Sequence, residues 1–251
     1  MNNHMRNRGR TARMRSLLAA VGLLAGMGVA ATAGATAILS ATVGGAPAGA
    51  DHYETFDSLV PGSAGGTMPS GLVVSFASDA GAVQGSVGGK YAAPFLSGNN
   101  GVNFGGQPDG ADATTYLTSG STNASPGAAA TLAFPGLQMY MGLLWGSVDR
   151  DNTLTFYNGA TMIDMFTGHD VTALANGDQG AAGTFYVNIN FSSPFDRVVA
   201  TSPSYAFEFD NVAFSTRPIG VPEPGVAGMF LLGLLLLGSG CWLKRREARL
   251  G

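Results

Sequence analysis

The middle of the chain, residues 51–220, predicts an all-β fold: an antiparallel β-sandwich of the jelly-roll or lectin-like type. Apolar and polar residues alternate there over short segments, as they do on strands with one buried face. Glycine, asparagine, aspartate and proline, the residues of tight turns, separate these segments. No stretch of the middle keeps the 3.6-residue apolar period of an amphipathic helix. About ten short strands of this kind are typical of a sandwich.

The clearest predicted strands are residues 184–191 and 205–212. In the first, Phe185 begins an apolar series at every second position, and Tyr186 begins the series of the opposite face. In the second, Phe207 begins the inward-facing series. The other predicted strands are residues 53–60, 72–77, 114–118, 129–134, 139–145, 153–157, 161–166 and 195–201.

Turn residues separate the predicted strands. Asn158-Gly159 is typical of a type I′ hairpin turn, so residues 153–157 and 161–166 are expected to pair. Residues 79–112 are glycine-rich and weakly patterned, which is typical of long loops or of short irregular strands. No internal repeat divides the middle, and we therefore expect one domain in residues 51–220.

Charge is distributed unevenly along the chain. Residues 51–220 contain fourteen acidic and four basic residues, a net charge of −10, and the other nine basic residues lie in two terminal clusters. An acidic middle excludes nucleic acid as the expected partner, because nucleic-acid-binding proteins need a positive surface. The only cysteine, Cys241, lies outside the middle. A disulfide framework, a thiol nucleophile and a CxxC zinc site are therefore excluded from the middle.

The N-terminal segment, residues 1–50, is predicted to be a secretory signal peptide. Five arginines before Ser16 are followed by an apolar run of small residues from Leu17, which are the n-region and h-region of such a peptide. The general secretory machinery and signal peptidase are the expected partners, with cleavage before Asp51. The A-x-A triplet for that position and two alternative triplets are Ala48-Gly49-Ala50, Ala33-Gly34-Ala35 and Ala35-Thr36-Ala37.

The C-terminal segment, residues 221–251, predicts a single transmembrane helix. Residues 226–243 carry no charge, and a helix of that length spans about 27 Å, close to the hydrocarbon thickness of a thin bilayer. A basic tail follows at 244–251 and is expected to stay on the cytoplasmic side. The middle domain is therefore expected outside the inner membrane. The basic residues that set this topology are Lys244, Arg245, Arg246 and Arg249.

Pro222, Glu223 and Pro224 lie between the middle and the predicted span. Each proline disfavours helix for the residue before it and has no N–H for a sheet, so we expect an extended, exposed segment that a processing enzyme can bind. The order of Pro-Glu-Pro, apolar run and Lys244-Arg245-Arg246 resembles the PEP-CTERM sorting signal of Gram-negative bacteria. This resemblance implies cleavage by an integral-membrane exosortase during export to the cell surface or extracellular matrix. A proline linker before an ordinary anchor is the alternative.

A second resemblance covers residues 130–216. The runs LWGSVDRDNTLTFYNG and FDRVVATSPSYAFEFDNVAFS resemble the extracellular domain of an exosortase-dependent surface-protein family. That family has no established catalytic activity. The resemblance therefore implies the architecture of the domain and a sorting route, but no catalysed reaction.

The middle contains no pattern typical of an enzyme. It contains two histidines, His52 and His169, but no GxSxG motif that would supply a serine nucleophile for either of them. Because it contains only two glutamates, the paired carboxylates of a glycosidase would have to include aspartate. We therefore expect a non-enzymatic protein.

Oxygen-bearing side chains indicate one candidate metal site, for calcium. Three of them occupy a turn and resemble part of a calcium loop, for which a solvated hairpin turn is the alternative. The other two lie on the polar face of the last strand and would meet Glu54 or Asp57 if the first and last strands paired. Calcium would relieve the repulsion between such carboxylates. The five candidates are Asp149, Asp151, Asn152, Glu208 and Asp210.

Four aromatic residues are candidates for ligand binding. They would form a sugar-stacking platform if they shared an exposed face. Trp145 follows two leucines, so burial in the core is the alternative for that residue. The four are Tyr140, Trp145, Tyr157 and Tyr186.

These observations predict an exported, non-enzymatic surface or extracellular-matrix protein of a Gram-negative bacterium. It would be made as a single-pass membrane precursor and processed by an exosortase-type enzyme. Exopolysaccharide of a biofilm is the expected ligand class. A secreted glycan hydrolase on a lectin-like fold and a purely structural matrix protein are the alternatives.

Overall fold

The described part of the protein, in a computed structural model, belongs to one of two compact units of the chain, Gly34–Gly251. The predicted sorting signal, residues 221–251, and most of the predicted signal peptide lie outside the described residues. The described residues are 37–46, 49–98, 100–101, 106–120 and 128–220.

The described residues form thirteen β-strands, one α-helix of four residues (α1, Gly168–Val171) and one 3-10 turn (Ala181–Gly183), which confirms the predicted all-β class. The strands in chain order are β1 (Ala37–Thr42), β2 (His52–Glu54), β3 (Gly65–Thr67), β4 (Val73–Ala77), β5 (Gly81–Val83), β6 (Phe95–Leu96), β7 (Gly110–Ala111), β8 (Tyr116–Ser119), β9 (Ala129–Gly146), β10 (Thr153–Asn158), β11 (Thr161–Thr167), β12 (Phe185–Thr201) and β13 (Phe207–Ser215).

Eleven of these strands form one antiparallel sheet. Its main path runs β11-β10-β12-β9-β13-β8-β5. Strand β1 pairs with β12, β2 with β13, and β4 with both β3 and β9. Strands β6 and β7 form a separate two-stranded sheet. The first strand after Asp51, β2, therefore pairs with the last strand, β13. This pairing places Glu54 opposite Val212.

Strands β9 and β12 are each twice as long as predicted. The sequence predicts two strands in each region, and the structure joins them through irregular positions near Pro135 and Pro194. Proline has no N–H for a ladder, so strands bend or change partners there. The first half of β9 pairs with β4, and the second half pairs with β13.

The hairpin at Asn158-Gly159 is confirmed. Strands β10 and β11 pair antiparallel, with Asn158 opposite Thr161. Gly159 has φ +57°, which glycine adopts without strain. Because Asn158 pairs with Thr161, Gly159 is the first of the two loop residues, the position of glycine in a type II′ turn rather than in the predicted type I′ turn.

The predicted alternation of β12 is also confirmed. Val187, Ile189 and Phe191 face the main apolar core, whereas Tyr186 belongs to a second cluster on the opposite face of the sheet. In the main core the indole of Trp145 stacks on Phe207, with ring centroids 4.3 Å apart.

The opposite face of β9, β12 and β13 is covered as well. The second cluster consists of Leu96, Tyr140, Leu144, Tyr186 and Ala213. The covering chain comprises residues 91–98, 100–101 and 106–113, which include β6 and β7. The Phe95 N–H donates to Thr184 Oγ1 at 3.2 Å. Polar side chains of β13 that the sequence places on a solvated face are therefore buried.

Strand β1 lies within the segment predicted as the signal peptide. Its six residues pair with β12, from Ala37 opposite Phe191 to Thr42 opposite Tyr186. Ala37, Leu39 and Ala41 pack against the main core, while the alternate residues face outward. This is the period-two burial of a regular edge strand.

No helix within the described ranges is long and apolar enough to cross a membrane. The predicted transmembrane helix, residues 226–243, lies outside those ranges.

Candidate functional site

A groove lies beside β5 at the end of the large sheet, and we call it the β5 groove. Two adjoining cavities of about 470 Å³ and 140 Å³ form it, and both have Lys90, Tyr91 and Tyr205 in their walls. Ligand sites commonly have volumes of roughly 300–1,000 Å³, so the larger cavity has the size of a small-molecule site. Further polar residues of the larger cavity are Asp79, Gln84 and Thr118.

A tight turn presents Lys90 and Tyr91 to the groove. The Val87 N–H donates to the Tyr91 carbonyl at 2.9 Å, and the Tyr91 N–H donates back to Val87 at 3.1 Å. Gly89 supplies the left-handed residue of this turn, with φ +74°. The Tyr91 ring is half-buried and meets the fully buried Tyr116 ring edge-on at 6.4 Å. The Tyr91 ring therefore packs on Tyr116 with one side and leaves its other side exposed to the groove.

Tyr205 reaches the groove from the segment between β12 and β13. That segment passes so close to Gly120 that a Cβ there would overlap the Ser204 carbonyl oxygen. Gly120 also has φ +138°, which is accessible in practice only to glycine. Glycine at position 120 thus allows the approach that brings Tyr205 beside β8.

Glu208 and Asp149 form the acidic end of the groove. The Glu208 side chain is buried and accepts two hydrogen bonds, from Ser147 Oγ at 2.7 Å and from the Ala92 N–H at 2.8 Å. These bonds connect β13, the end of β9 and the covering chain. Asp149 is half-buried in the wall of the same small cavity.

Burial raises the pKa of both carboxyl groups. Desolvation is the main cause for Glu208, and with a smaller contribution from Asp149 it raises the Glu208 pKa to about 7. Desolvation and then the charge of Asp151 raise the pKa of Asp149. A carboxyl group with a pKa near 7 is half protonated at neutral pH.

Three of the four predicted aromatic ligand residues are in the interior. Tyr140, Trp145 and Tyr186 are fully buried, so the four do not form an exposed platform. The physical reason is that both faces of β9 and β12 are covered. Side chains that alternate between the two faces are therefore buried on either face. Tyr157 is half-exposed, with the Arg197 guanidinium 4.2 Å above its ring.

The five predicted calcium ligands do not come together. Asp151 is exposed, and Asn152 is buried and donates through Nδ2 to the Ala206 carbonyl at 3.1 Å. Asp149 and Glu208 share the small cavity, whereas Asp210 faces Asp112 elsewhere on β13. Within the described ranges, no three His, Cys, Asp or Glu side chains are grouped so that they could hold a metal.

Sequence reasoning missed the two groove tyrosines. Tyr91 lies in the glycine-rich stretch, and Tyr205 lies at the start of a predicted strand. The sequence signal that could identify them is the preceding turn: each tyrosine follows turn residues, in Gly-Gly-Lys-Tyr and Ser-Pro-Ser-Tyr. An aromatic residue directly after a tight turn is commonly at the surface, where binding residues concentrate.

No protein-family model, no curated protein and no solved structure matches this chain.

Proposed function

We propose that the protein is an exported, non-enzymatic surface or extracellular-matrix protein that binds exopolysaccharide in the β5 groove. A signal peptidase and an exosortase-type enzyme process its two ends, and a Gram-negative cell carries it to its surface or matrix. The groove, with two half-buried tyrosines and adjacent carboxyl groups, is the observation that carries the binding proposal.

The end of the folded domain supports the sorting route. The Asn190 side chain binds Ile219 twice: the Ile219 N–H donates to Oδ1 at 2.8 Å, and Nδ2 donates to the Ile219 carbonyl at 3.0 Å. Asp51 accepts from Ser215 Oγ at 2.7 Å and pairs with Arg217 at 3.1 Å. The domain is therefore fastened up to residue 219, and the Pro-Glu-Pro motif begins three residues later.

Strand β1 favours one of the cleavage positions proposed for the signal peptide. Cleavage before Asp51 would remove β1 and expose the β12 edge, whose unpaired N–H and C=O groups would then invite aggregation. Cleavage after Ala35 retains the whole strand. The Ala33-Gly34-Ala35 triplet is therefore our choice for the signal peptidase site.

The finer architecture belongs to the same proposal. We assign the sheet to a jelly-roll-like sandwich in which β9 and β12 pass between two layers. The ring of Phe134, in the first half of β9, lies 5.0 Å from Phe214 of β13, although the second half of β9 is the part that pairs with β13. A sheet that folds over itself brings such residues together.

The processed ends are a first prediction. Protein isolated from the surface of cells that possess the sorting enzyme is expected to begin at Thr36 and to end within residues 222–224. Intact-mass spectrometry with N-terminal sequencing measures both ends. A start at Asp51 would contradict retention of β1. An intact Gly251 would contradict sorting and leave an ordinary anchored protein.

Polysaccharide suits the groove for chemical reasons. Sugar rings have apolar faces that pack on aromatic rings, and their hydroxyl groups pair with side chains that donate and accept. The half-buried rings of Tyr91 and Tyr205 supply the first kind of contact, and Gln84 and Thr118 supply the second.

Loss of glycan binding is the second prediction. We expect Tyr91→Ala and Tyr205→Ala each to weaken retention on the cells' own exopolysaccharide about tenfold, which corresponds to ~1.4 kcal/mol. Affinity electrophoresis of the full chain in gels containing that polysaccharide measures the effect. Tyr157→Ala is the matched control, because Tyr157 is also half-exposed but lies on β10. Equal retention by wild type and both groove variants would contradict the binding site.

A glycan hydrolase is the second candidate, favoured by the raised pKa of Glu208 beside Asp149. A general acid must present its proton to the substrate oxygen. Both Glu208 oxygens already accept hydrogen bonds, and the residue is only 2% exposed, so binding without turnover is preferred. Release of reducing ends by wild type, lost in Glu208→Gln, would establish the hydrolase instead.

A further inference from the structure

Two carboxyl groups face each other in the layer between β13 and its covering chain. Asp210 on β13 is fully buried, and Asp112, directly after β7, is 2% exposed. The two side chains lie within hydrogen-bonding reach of one another. One oxygen of Asp112 is held in place: Oδ1 accepts from the Thr114 N–H at 2.9 Å and from Gln107 Nε2 at 3.0 Å.

The other three carboxyl oxygens have no such partners. Asp112 Oδ2 and both carboxyl oxygens of Asp210 meet no donor in hydrogen-bonding geometry, although the main-chain N–H of Asn211 lies close to Asp210. Buried polar atoms are almost always paired. Three unpaired oxygens on two facing carboxyl groups therefore require an explanation.

Asn211, the next residue of β13, adds a fourth buried oxygen without a partner. A β-bulge interrupts the pairing of β13 with β9 between Asp210 and Ala213, and Asn211 has φ +52°. The bulge turns the Asn211 side chain toward the covering chain, where Nδ2 donates to the Asn100 carbonyl at 3.2 Å. Its Oδ1 is buried without a partner. Bulges commonly redirect a side chain at functional sites.

No side-chain cation compensates this site. The four basic residues within the described ranges lie elsewhere: Lys90 and Arg150 are exposed, Arg197 covers Tyr157, and Arg217 pairs with Asp51. A proton shared between Asp112 and Asp210 would join only two of the four unpaired oxygens. A divalent cation would neutralise both carboxylates and could take further oxygens as ligands.

We propose that Asp112, Asp210 and Asn211 bind one calcium ion between β13 and the covering chain. The available ligands are all oxygens, which favours a hard cation over zinc or copper. Calcium accepts carboxylate and amide oxygens in irregular geometry, and water or main-chain oxygens complete its shell, whereas magnesium demands a regular octahedron and retains several waters. The ion fastens the covering chain, which carries Tyr91, to β13.

The test measures calcium directly and uses the full chain, purified in detergent and freed of metal with a chelator. Equilibrium dialysis against calcium is expected to give one ion per chain, and the thermal unfolding midpoint is expected to rise with calcium concentration. Asp112→Asn and Asp210→Asn, which conserve shape, are expected to weaken binding about tenfold or more. Asp151→Asn, at the exposed turn, is the matched control and is expected to bind like wild type.

The variants also report on folding without calcium. In chelator, Asp112→Asn and Asp210→Asn are expected to unfold no earlier than wild type, because each removes one of two carboxyl groups that repel when ionised. A wild type that takes up no calcium at ~5 mM, well above the weakest affinities of extracellular sites, would overturn the proposal. Calcium uptake that Asp151→Asn abolishes and Asp112→Asn leaves intact would overturn it too. Neither outcome bears on glycan retention, so this inference and the proposed function fail separately.

Discussion

Replacing Phe156 with alanine is expected to lower the free energy of unfolding by about 3–5 kcal/mol, the usual cost of removing a fully buried phenylalanine. Phe156 is completely buried on β10. Its ring lies 4.6 Å from Phe191, 5.1 Å from Phe195 and 5.9 Å from Phe166, centroid to centroid. The ring therefore joins β10, β11 and β12. Packed rings on three strands restrict the collapse of the cavity, which places the cost in the upper part of this range.

Tyr157→Ala is the control for this prediction. Tyr157 is the next residue on the same strand, but its ring is half-exposed under Arg197, and an exposed cation–π contact contributes only about 0.5–1 kcal/mol. Denaturant titration followed by tryptophan fluorescence measures both variants. Similar losses of unfolding free energy at positions 156 and 157 would contradict the burial of Phe156 among the rings of β11 and β12.

The parts of the fold that the sequence predicts are those governed by neighbours along the chain. Alternation in β12 assigns Val187 and Tyr186 to opposite faces, and Asn158-Gly159 predicts its hairpin, because both depend on local geometry. The alternation of residues along a strand does not show whether the second face of the sheet is covered by another part of the chain. For this reason the sequence makes Tyr186 a candidate ligand residue, although it is fully buried in the structure.

The covering chain was not predictable because its contacts are long-range. The Ala92 N–H donates to Glu208, 116 residues away, and Asn211 donates to Asn100 across 111 residues. A glycine-rich sequence without a periodic pattern of apolar residues is compatible with any path over the surface. The two buried carboxyl groups beneath it could be recognised as partners only after the path was known.

Strand β1 illustrates a different difficulty. Ala37–Thr42 reads AILSAT, a sequence of small and apolar residues that fits both the end of a secretory segment and an edge strand. Composition is the main criterion for a signal peptide, whereas the pairing with β12 decides for a strand. Only the register of six paired residues distinguishes the two.

Gly120→Ala is expected to lower the free energy of unfolding by about 2–6 kcal/mol and to weaken glycan retention as well. Two effects add: alanine at φ +138° is strained by about 1–3 kcal/mol, and its Cβ would overlap the Ser204 carbonyl oxygen and lie 3.2 Å from Ala206 Cα, an overpacking cost of about 1–3 kcal/mol. Backbone atoms cannot rotate away, so the segment that carries Tyr205 must shift out of the groove.

The matched control for that variant is Gly136→Ala. Gly136 is exposed at the bend of β9, and a Cβ there would meet nothing within 4 Å, so unfolding free energy and glycan retention are expected to stay within about 0.5 kcal/mol of wild type. Denaturant titration and affinity electrophoresis of the two glycine variants measure both quantities. A Gly120→Ala protein that unfolds early but retains polysaccharide like wild type would separate Tyr205 from binding. A protein unchanged in both would contradict the close approach of residues 204–206 to β8, and with it the shape of the groove.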